Sequence, residues 1–466
     1  GEEPVELSAC TVDSSTYNKS VAGTYLITIT YKDSSATVKI IVKRALTDAF
    51  KSDDATDIKG LSEKYSLTVG LPSTGNVNVL VLPIAFTDQT VPTNYKDTLT
   101  KAFNGTSEET GWESLNSYYQ KSSYGKLNIS ATVMDVYNTN EKFDKTANYD
   151  SAIDLTYLHQ SLAYYDSTIN YNDYDANDDG YIDCVYLVYL APYSTADDSI
   201  WWAFTSKDET SKKYDDKQTD FYMFLSYDFF NDPFIMDDED ESKDVYININ
   251  SQTIIHETGH ALGLDDYYDY DTSKGPAGGI GGGDMMDYNV GDHNAYSKTL
   301  LGWITPTVLI NKDYTATLKS FGASGDAIIV AKDWNNSYFG EYFIIDFYTC
   351  DGLNTASKGT SGLFAVNGVR IYHIDSTLSK TKDSIWEVTE YDNSYTAHKL
   401  IKLIEADGRN DIESTTGSIY GGHSEDSDLF QTNDSIELKW YDGTIATTMT
   451  VNQITTDGAN ISFIFK

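Results

Sequence analysis

Two histidines four residues apart, with a glutamate beside the first, stand in the run Ile254-Ile255-His256-Glu257-Thr258-Gly259-His260. On an α-helix residues i and i+4 lie one above the other, so His256 and His260 can aim both imidazoles at one Zn2+ about 2 Å away. Glu257 lies one step round the same helix, close enough to a metal-bound water to accept its proton without filling a coordination position. Gly263 stands where a helix end favours positive φ, and a turn there returns the following residues toward the metal. Asp266 is then the expected third ligand, with Asp265, Asp269 and His293 as alternatives. Three protein ligands leave a fourth position for water, which distinguishes a catalytic zinc site from a closed structural one. A glycine inside a helix costs roughly 1 kcal/mol, so Gly259 points to close backbone packing or substrate approach at that turn. With 7 histidines in 466 residues, a chance H-E-x-x-H is expected on the order of 10^-2 times per chain.

Some 20 residues beyond Asp266 comes Gly281-Gly282-Gly283-Asp284-Met285-Met286-Asp287-Tyr288. Met286 reads as a soft apolar floor beneath the metal, like the methionine turn of metzincins, and Tyr288 as a phenol able to reach the metal or the oxyanion. A second, harder site is legible upstream. Taking Asp175 as position 1 of an EF-hand-like loop puts Asn177 and Asp179 at 3 and 5, Gly180 at 6, the Tyr181 carbonyl at 7 and Asp183 at 9. Tyr186 replaces the bidentate glutamate at position 12. That predicts a structural Ca2+ loop leading into a strand, not a regulatory hand.

The elements that must position these residues follow from hydrophobic patterning. Residues 77–86 and 127–133 read as strands and residues 112–121 as a helix, which opens a mixed α/β domain. After Trp303 the chain is almost entirely strand-like, as at 342–348, 368–373 and 459–465. Before it, residues 23–31 and 36–42 form a hairpin pattern across the turn 32–35, and the phrase VAGTYLITITYKDSSATVKIIV resembles the end of a bacterial immunoglobulin-like repeat. The expected organisation is a partial immunoglobulin-like β segment (1–45), a linker or arm (46–75), the catalytic domain (76–305) and a β-rich C-terminal domain (306–466). The fold class is α+β and multidomain. An acidic run at 237–241 reads as a surface loop just before the metal-binding helix.

The 71 acidic against 33 basic side chains give a formal charge of −38, which repels nucleic acid and anionic membranes. No stretch reaches the length of a membrane span. Three cysteines, Cys10, Cys184 and Cys350, are too few and scattered for a disulfide framework or thiolate metal site and read as buried thiols. The start at Gly1-Glu2-Glu3 reads as a piece of a longer precursor whose export signal has been removed.

The stretch from His256 to Tyr268 resembles the M6, or immune inhibitor A-like, peptidases, whose signature has the form HE-x-GH-x-LGL-x-D-x-Y. VNVLVLPIAFTDQ (77–89), LNSYYQKSSYGKLNISATV (115–133), DANDDGYIDCVYLVYLAP (175–192) and KTLLGW (298–303) extend the resemblance. EYFIIDF, GVRIYHID and LIEADGRNDI carry it almost to the C-terminus, so the final third counts as part of the unit. The resemblance implies a zincin (metzincin-like) catalytic fold and an exported bacterial endopeptidase with protein or peptide substrates. One departure is Asp266, where many metzincins place a histidine. A different class of function is a surface adhesion or binding protein that keeps a zincin core as scaffold. Intact ligands and an intact Glu257 argue against it.

Overall fold

The structure is a computed structural model. It describes the chain apart from residues 1–8, 15–22, 33, 43–48, 52–69, 197, 232–247, 272, 274, 333, 335–339, 356–362, 377, 381–385, 389–392, 395–397, 414–420 and 466. The acidic run and most of the expected arm lie outside the described residues. At the N-terminus β1 (Thr11–Asp13), β2 (Gly23–Tyr31) and β3 (Ser34–Val42) form a three-stranded antiparallel sheet. The turn is tighter than expected, because pairing runs down to Tyr31 against Ser34.

The central sheet is parallel where its strands are most apolar. β5 (Gly75–Ala85), β6 (Leu127–Val133), β7 (Tyr181–Tyr189) and β9 (Lys217–Ser226) lie in the order β9-β7-β5-β6, all parallel. From Leu80 onward every residue of β5 is buried, as a strand covered on both faces requires. Alternate side chains feed two cores. Val77, Val79 and Val81 join α1 (Tyr95–Asn104), α2 (Leu115–Ser122) and α4 (Gln252–Ala261). Leu80, Leu82 and Ile84 pack with α3 (Ile153–Tyr165) on the opposite face. The short strand β8 (Phe204–Lys207) pairs antiparallel with β9 at the sheet edge. Helix α2 starts three residues later than the apolar pattern implies, since Ser114 and Ser117 form a reciprocal capping box there.

After the short helices α5 (Met285–Tyr288) and α6 (Ala295–Leu300) the chain is β-rich, as expected. β10 (Thr307–Leu309), β12 (Ala327–Ala331), β13 (Glu341–Tyr348), β14 (Gly368–Asp375) and β15 (Ile401–Leu403) make one sheet. β11 (Tyr314–Leu318), β16 (Ser435–Lys439), β17 (Ile445–Thr455) and β18 (Gly458–Ile464) make a second. The chain is therefore an α+β protein with several sheets and few helices among the described residues.

Packing is continuous across the expected boundary at 305. Tyr342 and Ile344 of β13 enter the same core as Ile255 and Met286, while Phe343 and Ile345 face Met449, Val451 and Phe463 of the last sheet. The expected linker is likewise partly structural. Ala49–Lys51 (β4) pairs with β10, Leu71 donates its N–H to the Ala261 carbonyl at 2.8 Å, and Trp303 Nε1 donates to the Ser73 carbonyl. Cys184 is fully buried, but Cys10 and Cys350 are only half-buried, so the buried-thiol expectation holds for one of the three. No described helix is long and apolar enough to cross a membrane.

Candidate metal centre

Helix α4 is fixed before any metal is considered. Tyr119 Oη donates to the Ile255 carbonyl at 2.7 Å, and the Thr258 hydroxyl bonds both Tyr186 Oη and the Ile254 carbonyl. At its end the Leu264 N–H bonds the Gly259 carbonyl and the Gly263 N–H bonds the His260 carbonyl, a Schellman motif with Gly263 at φ +94°. The positive φ expected of Gly263 is present, and the chain turns back as that geometry dictates.

This reversal brings Asp266 to the histidines. His256 Nε2 lies 2.9 Å and His260 Nε2 3.4 Å from Asp266 Oδ1. His256 Nδ1 bonds the Met285 carbonyl at 2.8 Å, and His260 Nδ1 bonds the Leu264 carbonyl at 2.9 Å. With each Nδ1 donating to a carbonyl, each Nε2 of a neutral ring is left as a lone pair, so two nitrogens and one carboxylate oxygen converge. Asp266 Oδ1 is buried and receives no hydrogen bond in good geometry. Three converging acceptors with nothing to donate between them fit a divalent cation, and an N,N,O set of this type suits zinc. Without a cation only a proton can satisfy the trio. Burial opposes charge on His260, yet the Asp266 carboxylate overrides it and pushes that imidazole up to about 10. Asp266 itself sits well below the usual carboxylate range, burial being outweighed by the pull of the His256 and His260 imidazoles beside it.

The alternatives for the third position lie elsewhere. Asp265, one residue before, is exposed. Asp269 is buried and accepts from the Asp271 N–H. His293 is enclosed by Tyr118, Tyr119 and Trp303, with neither ring nitrogen hydrogen-bonded and its pKa pushed down by burial. Among the described residues a second group of carboxylates, Glu405, Asp407 and Asp428, comes equally close together, but Arg409 and backbone N–H groups already bond its oxygens.

Glu257 is buried beside the edge strand. The Thr205 hydroxyl of β8 bonds Glu257 Oε2 at 2.8 Å and the Glu257 carbonyl at 2.9 Å, which orients the carboxylate. Below the helix, a Cβ on Gly259 would collide with Met286 Sδ. That is the close approach the glycine foreshadowed. Met286 is held by Asp284, whose carboxylate accepts from the Met286 and Asn294 N–H groups while burial pushes its pKa up to about 7. The Tyr267 N–H bonds the Met286 carbonyl, tying the Asp266 segment to the same turn. Tyr288 ends α5 half-buried, its ring edge-on to His423 at 5.8 Å.

Some supporting groups have no signature in the sequence. The Met285 and Leu264 carbonyls are main-chain atoms, and Thr205 is 52 residues from its partner. Tyr270 Oη donates to Asp266 Oδ2, and Ser394 holds the Tyr270 N–H from the C-terminal half.

The loop at 175–183 forms the expected turn, with Gly180 at φ +93°, yet its oxygens are engaged locally. Asp175 accepts from the Asp179 and Gly180 N–H groups and from Lys217 Nζ at 2.6 Å, Asp179 accepts from the Tyr181 N–H, and Asp183 from the Ala176 N–H. Asp175, Asn177, Asp179, the Tyr181 carbonyl and Asp183 therefore hold Ca2+ only if the Lys217 ammonium moves aside. Saturating Ca2+ is expected to raise the melting temperature by on the order of 5 °C, since a ligand at 100 Kd adds about 2.7 kcal/mol. Asp179→Ala should abolish the rise without changing zinc content. An identical thermal scan with Ca2+ and with chelator would reduce the loop to an acidic turn.

Comparison with known protein families found no matching family model, and comparison with curated proteins found no match.

Proposed function

We propose that this chain is a secreted zinc endopeptidase related to the M6 peptidases, with a zincin-type catalytic half. The observation that carries this reading is the meeting of His256 Nε2, His260 Nε2 and Asp266 Oδ1 beside a glutamate from the same helix. A zinc ion held by these three would supply a Lewis acid and lower the pKa of a bound water. Glu257, oriented by Thr205, is the base that takes a proton from the attacking water and returns it to the leaving amine. Tyr288 is assigned to the oxyanion on the sequence pattern alone.

A peptide substrate is favoured by the neighbouring strand. β8 pairs with β9 on one side, and among the described residues no strand pairs with its other edge. A strand edge that no described strand covers, beside the proposed catalytic glutamate, is a template for an extended chain. The reading predicts that the purified protein digests casein, that a zinc chelator stops it, and that added Zn2+ restores it. Stoichiometric zinc with no cleavage of casein or gelatin would overturn it and favour an adhesion or binding role for the scaffold.

A further inference from the structure

Trp202 precedes the edge strand and is 39% exposed, although it belongs to an aromatic cluster. Its ring stands edge-on to Tyr193 and to Phe229, both at 5.3 Å, and those two rings stack on each other at 4.7 Å. A shallow cavity of about 330 Å³ opens beside them, lined by Pro192, Tyr193, Asp228 and Asn231. Pro192 and Tyr193 follow β7, and Asp228 and Asn231 follow β9, so the cavity sits at the carboxyl end of the parallel sheet, where α/β proteins take ligands. Trp202 is three residues from Thr205, the residue that bonds Glu257. The aromatic cluster therefore stands just ahead of β8, Trp202 being two residues before Phe204, the first residue of that strand.

We infer that this patch is a subsite for a lysine or arginine side chain about three residues from the scissile bond of a peptide laid along β8. The inference rests on the peptidase reading and names its substrate class: extended chains carrying a basic residue near the cleavage point. An exposed tryptophan face attracts an ammonium or guanidinium group, and the long stem of either side chain covers apolar surface while its head stays at water. Asp228 and Asn231 supply a carboxylate and an amide oxygen at the cavity wall, and among the described residues no Lys or Arg lines it. A chain of formal charge −38 draws basic segments toward itself before they dock.

The test uses internally quenched peptides of one sequence, with Arg, Leu, Phe or Glu placed in turn at each of several positions on both sides of the cleaved bond. At one position two to four residues from that bond, Arg should exceed Glu in kcat/KM by about tenfold, and the excess should shrink as salt rises. Asp228→Asn should bring the Arg peptide down toward the Leu peptide and leave the Leu peptide unchanged, whereas Trp202→Ala should lower both. A flat profile, a preference for Phe or Leu over Arg at that position, or an Arg preference that survives Asp228→Asn overturns the subsite while leaving the peptidase reading in place. Failure to cleave any of the peptides, or casein, overturns both.

Discussion

Replacing Glu257 by alanine is expected to lower turnover of casein or a peptide by about 10²- to 10⁴-fold, the range for removing a general acid–base group. Zinc content and melting temperature should stay at the wild-type values. The separation follows from what Glu257 touches. Its carboxylate meets the Thr205 hydroxyl, and that hydroxyl also bonds the Glu257 main-chain carbonyl, so truncation leaves no hydroxyl stranded. The three groups proposed to hold the metal keep their own bonds to Met285, Leu264 and Tyr270. Glu257→Gln should be as inactive as alanine while matching wild type in shape, because an amide still accepts from Thr205 but takes no proton from water. Thr205→Val is the milder companion: it frees the carboxylate's orientation and should lower kcat about tenfold with KM little changed. Wild-type digestion by Glu257→Ala would remove Glu257 from the mechanism.

How far this site was legible before the coordinates depends on which physical signal each part leaves. The helix and its two histidines announce themselves by i, i+4 spacing, and the reversal at Gly263 by the need for positive φ. Asp266 over Asp265 is a matter of which side chain points inward after that turn, and two adjacent aspartates give no such information. The core strands were readable because buried parallel strands are nearly continuous runs of Val, Leu, Ile and Tyr. The arm was not. Residues 70–75 look polar and glycine-rich, but Leu71 is fully buried and Gly70 lies against the Phe221 ring, contacts set by segments far along the chain. The EF-like loop shows the opposite limit. Its spacing gives the turn with Gly180 at positive φ, whereas Lys217, which pairs with Asp175, comes from a different strand and leaves no mark in the motif.

Asp266→Ala should weaken zinc binding by more than about a hundredfold, while Asp265→Ala should leave it within a factor of a few. Loss of a group that only supports a ligand costs 10- to 100-fold, and loss of a ligand exceeds that. Asp266 is buried with Oδ1 directed at both Nε2 atoms, and Asp265 is exposed. Tyr270→Phe, which removes the bond to Asp266 Oδ2 and keeps the ring, should fall between them at about tenfold. The proton balance gives an independent readout. In the metal-free protein the Asp266 carboxylate, working against burial, raises His260 from its ordinary value of 6.5 to about 10. A raised imidazole pKa means that the pair stabilises the fold fully below pH 6.5 and ceases to do so as pH rises through about 10. Zinc must displace that proton, so uptake near pH 8 should release it into weakly buffered solution, and Asp266→Ala should suppress the release because the isolated imidazole is already neutral there. Isothermal titration in two buffers of different ionisation enthalpy measures the proton count, and elemental analysis measures the metal. Strong zinc binding by Asp266→Ala together with loss of metal from Asp265→Ala would transfer the third ligand to the neighbouring residue and would require the turn after Gly263 to be rotated by one position.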